Sequence, residues 1–171
     1  TTGANNVAVG YSAGDAITTA CCNTVVGSSA GTATTTGAGN TALGNGALSA
    51  NTTGPNNVGI AYLALDANTT GSSNVAVGVN ALGANTTAGN NTAVGNSALS
   101  NNDTGTYNTA VGASAGATIA GAGNYNTLIG AISGDAITTG DDNTAVGRGS
   151  LSTCTTSSLN TAIGSVALEV L

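Results

Sequence analysis

The chain has no Phe, Trp, Met, His or Lys, one Arg (Arg148), one Pro and four Tyr among its 171 residues. Without His or Lys the commonest general bases and amine nucleophiles are missing. The three cysteines, Cys21, Cys22 and Cys154, have no imidazole to activate them, so the sequence does not read as an enzyme. No cofactor fingerprint or metal-ligand spacing is present. Seven acids against one Arg give a net charge of −6. With no basic stripe, binding along a phosphate backbone has no electrostatic source, which excludes nucleic acid. No apolar run is long enough for a membrane span. The chain starts without Met and without a signal peptide, which reads as a processed or trimmed start. Large aromatic side chains normally supply much of a globular core. Here the apolar fraction is mostly Ala and Val, so any interior must be narrow. Three cysteines are an odd number that fits no metal site. They read as small apolar fillers, with a Cys21–Cys22 disulfide or an intermolecular bridge as the alternatives.

High Gly, Thr, Ser and Asn at low charge would also suit a disordered chain, but these residues return at a fixed period. Asn-x-x-aliphatic-Gly recurs ten times, at Asn6, Asn23, Asn40, Asn57, Asn74, Asn91, Asn108, Asn126, Asn143 and Asn160. Eight intervals are 17 residues and one, Asn108 to Asn126, is 18. Self-similarity at a short period marks a chain wound into stacked coils. The consensus is Asn-Thr-Ala-Val-Gly-Asn-Ser-Ala-Leu-Ser-Ala-Asn-Thr-Thr-Gly-x-Asn, numbered below as positions one to seventeen.

The first five positions read as a short strand ended by Gly. Position four is aliphatic in every unit, and position two should share its face, with the Ala of position three on the other. Position eight, Ala or Ser, suggests a tightly packed inner wall. Asn at position one predicts a ladder of amides about 4.8 Å apart. Gly at position five, replaced only by Ala61, predicts a corner with positive φ or a close approach. Thr-Thr-Gly at positions thirteen to fifteen reads as a second strand edge. Positions nine and twelve exchange bulk. Leu48, Leu65, Leu82 and Leu99 accompany Asn51, Asn68, Asn85 and Asn102, whereas Gly14, Gly116 and Gly134 accompany Ile17, Ile119 and Ile137. Both positions are therefore expected to reach one pocket.

Other residues offer weaker chemistry. Asp15, Asp66 and Asp135 share position ten in non-adjacent units and read as solvated charges, and Asp141-Asp142 lacks a calcium-binding pattern around it. Asn51, Asn68, Asn85, Asn90 and Asn102 match the N-glycosylation acceptor pattern. Stacked Thr at positions thirteen and fourteen could form an ice-binding array. Adjacent residues in a strand face opposite ways, however, which favours ladders that stabilise the stack. Thr1 to Asn5 match positions thirteen to seventeen, and the chain stops at Leu171, position twelve, with no evident polar cap. That frame predicts either a window of a longer repeat or ends that meet other copies.

Asn-Thr-Ala-Val-Gly-x-x-Ala-Leu, as at Asn91 to Leu99, resembles the head repeats of trimeric autotransporter adhesins. It is also similar to repeat tracts of phage and bacterial tail-fibre-like proteins. The resemblance covers all ten units and implies a left-handed parallel β-roll, three chains side by side, displayed outside the cell for attachment. The sequence thus predicts an all-β chain, one parallel β-solenoid (β-roll or β-helix) over residues 1–171. Ten coils rising about 4.8 Å each would make it about 48 Å long. The expected role is a structural, adhesin-like segment of an extracellular or virion fibre. It would assemble with identical chains, end to end or side by side, through outward Ala and Thr rows, with a surface glycan or host receptor as a further partner. The alternative is an ice-binding or carbohydrate-binding module on the same coil.

Overall fold

A computed structural model describes residues 2–169; Thr1, Val170 and Leu171, where the repeat frame of both ends is read, lie outside it. Every described repeat contributes one three-residue strand. These are β1 (Val7–Val9), β2 (Thr24–Val26), β3 (Thr41–Leu43), β4 (Val58–Ile60), β5 (Val75–Val77), β6 (Thr92–Val94), β7 (Thr109–Val111), β8 (Thr127–Ile129), β9 (Thr144–Val146) and β10 (Thr161–Ile163). They form a single ten-stranded sheet in chain order, every pair parallel. Register is strict, each residue pairing with its equivalent one unit on: Val75 opposite Thr92, Ala76 opposite Ala93, Val77 opposite Val94. The chain is a β-solenoid, and the one 18-residue interval is absorbed between β7 and β8 without loss of register, Thr109 still facing Thr127.

The corner after each strand explains its Gly. Position five holds φ between 128° and 141° in nine units, and Ala61 sits at 110°. A Cβ on Gly95 would stand 2.5 Å from the carbonyl oxygen of Gly112 in the next coil, so coils can stack at this corner only when side chains are absent. Ala61 is the one side chain tolerated at this corner, at the lowest φ of the row.

Two sequence expectations about the coil need correction. The faces of the strand are reversed: the Ala of position three points inward and is fully buried at Ala42, Ala76, Ala93, Ala110 and Ala145. The aliphatic row of position four lies outside, so the expected outward Ala row is an inward one. The narrow interior dictates this, because it accepts a small side chain at most strand centres but not the full branched row of position four. Positions thirteen to fifteen also form no second strand among the described residues. Their backbone does bond coil to coil, as in Thr52 N–H to the Thr69 carbonyl at 2.9 Å.

Volume exchange inside the coil is visible at atomic level. Position nine is left-handed throughout, with φ of 53°, 54°, 51° and 50° at Leu48, Leu65, Leu82 and Leu99. A leucine there carries roughly 1–2 kcal/mol of backbone strain, which burial of its side chain, worth about 2–3 kcal/mol, offsets. Where another residue fills the space, Gly takes the position without strain. A Cβ on Gly14 would lie 2.9 Å from Ile17 Cδ1, and one on Gly134 would lie 2.9 Å from Ile137 Cδ1. Position three is a third contributor that the sequence pattern did not reveal. Val25 occupies the space at Gly31, and Leu128 lies against both Gly116 and Gly134.

These contacts predict energetic coupling within a coil. Leu82→Gly should cost about 3 kcal/mol, the range for emptying a buried leucine site. Adding Asn85→Ile should recover at least about 1 kcal/mol, measured as a double-mutant cycle by chemical denaturation. Additive losses would contradict a shared pocket.

Candidate functional site

No cavity opens among the described residues, and no group of three metal-ligating side chains converges there. Candidate function must therefore reside on surfaces, and the polar ladders decide which surfaces are free. The Asn of position one uses its whole amide. Its Oδ1 accepts the backbone N–H of the next coil's Asn, as in Asn108 N–H to Asn91 Oδ1 at 2.9 Å. Its Nδ2 donates to the position-fifteen carbonyl of its own coil, as in Asn91 to Gly105 at 2.8 Å. The first bond ties coil to coil and the second closes the coil on itself. All nine steps from Asn6 to Asn160 repeat the first bond, at 2.7 to 3.1 Å. The ladder is therefore chiefly side chain to backbone. Direct amide-to-amide bonds occur at fewer steps, such as Asn143 to Asn126 at 3.0 Å.

Position twelve makes an inner ladder of its own. Asn51, Asn68, Asn85 and Asn102 each donate Nδ2 to the carbonyl three residues on, at 2.9, 3.0, 3.2 and 2.9 Å. Asn68 and Asn85 also donate to the preceding Asn Oδ1. These four acceptor-pattern asparagines are fully enclosed, and the folded coil leaves no room for a glycan on them. Asn90 differs: it lies at an exposed corner with φ 63°. Cys154 occupies position twelve in its unit and is buried, while Cys21 is half-buried and Cys22 exposed; all three are free thiols. At Cys22 hydrogen bonding to Cys21 raises the thiol above its ordinary value.

The threonines divide between two environments. At position thirteen, Thr35, Thr52 and Thr69 donate Oγ1 to the carbonyl of the equivalent residue one coil on, at 3.1, 3.0 and 3.0 Å. Only position fourteen (Thr36, Thr53, Thr70, Thr87) is exposed as a row. A single hydroxyl row, not a two-dimensional array, is thus presented to solvent.

Asp15, Asp66 and Asp135 stay apart: successive members are three and four coils away, roughly 14 and 19 Å at strand spacing. Burial raises the carboxyls of Asp66 and Asp135 above the ordinary carboxylate value, against the lowering effect of local backbone hydrogen bonds. Asp141 Oδ1 accepts the Asn124 backbone N–H at 2.7 Å, while Asp142 is exposed.

What remains free is the outer face of the sheet. Its position-four row is exposed at Val9, Leu43, Val94, Val111, Ile129 and Ile163 and half-buried at Val26, Ile60, Val77 and Val146. Beside it runs position two, Val or Thr in every unit. The result is an aliphatic row flanked by a row that is Thr in seven units and Val in three, running the length of the stack; soluble monomers seldom leave so long an aliphatic row uncovered. Alternation alone could not reveal it, because a period of two says which residues share a face and not which face is inside. Scanned against family models, curated proteins and solved structures, the chain matches none.

Two predictions follow from these environments. Expressed in a glycosylating host, the folded protein should carry glycan at Asn90 and none at Asn51, Asn68, Asn85 or Asn102, read by peptide mass spectrometry. A carboxyl whose folded pKa is raised adds stability below its unfolded value and loses it as pH rises through the folded value. The folded chain should therefore gain from protonating Asp66 and Asp135. Asp66→Asn and Asp135→Asn should raise Tm at neutral pH and change it least near pH ~3.

Proposed function

We propose that this chain is a structural segment of an extracellular or virion fibre, a shaft built from identical solenoids lying side by side. The observation that carries this reading is the aliphatic row of position four on the outer face, flanked by the Thr or Val of position two. An isolated rod would expose it along its entire length, whereas contact with a like surface removes it from water. The repeat keeps its bonds between neighbouring coils, so length can be added without a new core. The absence of Lys, the abundance of Thr and Asn, and the likeness of the repeat to adhesin heads and tail-fibre tracts support an extracellular or virion setting. An ice-binding role has less support, since the exposed hydroxyls form one row and the other threonines are tied to backbone carbonyls.

The experiment is light scattering of the purified chain, with and without Val94→Glu and Val111→Glu. Both residues are on the exposed face, so circular dichroism should be unchanged. The parent chain should run as a stable oligomer, and the double variant should dissociate by at least about tenfold in concentration, since a charge buried without a partner is strongly unfavourable. A monomeric parent at the highest soluble concentration would sink the proposal.

A further inference from the structure

The edges of the outer face carry a pattern that fixes how a second copy lies on it. Every strand is flanked by one residue two positions before it and one residue two positions after it. At β9 these are Asp142 and Arg148, the latter the only cation of the chain, and both are exposed. They flank opposite ends of the strand, with the left-handed Asp142 before it and Arg148 just past the Gly147 corner, so the pair is matched in level and separated across the face. At β7 and β8 the leading edge carries Tyr107 and Tyr125, stacked with centroids 5.1 Å apart and planes 8° from parallel. The trailing edge at those same two levels carries Ala113 and Ala131, exposed and small.

Symmetry decides what these edges meet. When two sheets face each other about an axis parallel to the stack, the leading edge of one lies against the trailing edge of the other, level for level. Rotation about an axis across the stack instead inverts the levels and brings like edges together. Only the first arrangement sets Arg148 against an acid and seats both Tyr rings against alanines. The face is also large enough: ten strands about 4.8 Å apart and a width of about 15 Å give about 700 Å², close to the ~800 Å² per partner of a stable interface.

We propose that the occupant of this face is a second copy of the chain, parallel and in register, with Arg148 paired to Asp142 of the neighbour. Tyr107 and Tyr125 then lie against the neighbour's Ala113 and Ala131. Each copy presents the same face to the other, so the contact is isologous, the Arg148–Asp142 pair forms once at each edge, and the assembly closes as a two-fold pair of parallel rods. Asp141 is not the partner, because its carboxylate is held by the Asn124 N–H. This inference deepens the assembly reading above and rests on it.

Two measurements test it on the intact chain. At β2 the leading and trailing residues are Cys22 and Ser28, so Ser28→Cys in a Cys21→Ser background places a thiol opposite Cys22 of the next copy. Oxidation or a short bis-maleimide should join positions 22 and 28 between chains, identified by mass spectrometry, while the Cys21→Ser parent should not cross-link. In parallel, Arg148→Asp or Asp142→Arg should each weaken association on the order of tenfold by placing like charges together. The double exchange should restore it to within about threefold. An assembled chain that yields no 22–28 cross-link, and whose double exchange fails to restore association, would overturn the register and leave the assembly reading standing. A chain that stays monomeric would overturn both.

Discussion

The side-chain amide of the repeat's first asparagine is the interaction on which the rest of this structure depends. A coil of 17 residues is too small to satisfy its own backbone groups, and most of them bond to the coils on either side. At the point where the strand begins, the coil must also be closed on itself. One Asn does both, accepting from the next coil and donating across its own. Asp would lose the donor and place a charge in a buried site, while Gln would be a methylene too long for both reaches. The invariance of Asn across ten units is thus a geometric requirement.

From that closure the narrow interior follows, and from the interior the composition. Few bulky aliphatics fit in a coil, supplied from position nine, twelve or three, and the other inward positions are chiefly Ala, Ser, Gly or the ladder Asn. Left-handed backbone at position nine makes Gly the unstrained choice and Leu the space-filling one, so their alternation is a local balance of strain against burial. Branched aliphatics that cannot be enclosed are placed outside. They form the exposed aliphatic row. In the proposed assembly the chain's single Arg faces an acid of the neighbouring copy.

Much of this was legible in the sequence. The period gave the solenoid, and the covariation of Leu48 with Asn51 and of Gly14 with Ile17 disclosed the shared pocket. The positive φ at position five was readable from its glycines. The inside and outside of the strand were not, because Ala at position three and Val at position four are both apolar. What separates them is interior volume, which depends on the coil's cross-section. The role of Val25 and Leu128 in filling space at glycines was hidden for the same reason, since it depends on position three pointing inward. The acceptor-pattern asparagines at position twelve look like surface motifs until the inner ladder encloses them, whereas Asn90 keeps its exposure.

The most direct test of the account is the mass per unit length of the rod in solution, from the cross-sectional analysis of small-angle X-ray scattering. One 15.9 kDa chain spread over about 48 Å amounts to about 0.33 kDa per Å. That value is insensitive to end-to-end joining and reports only how many chains run abreast. The account predicts a whole-number multiple of two or more, with a correspondingly thicker cross-section. The single-chain value, unchanged with concentration, would mean that the aliphatic row faces water, and would contradict it.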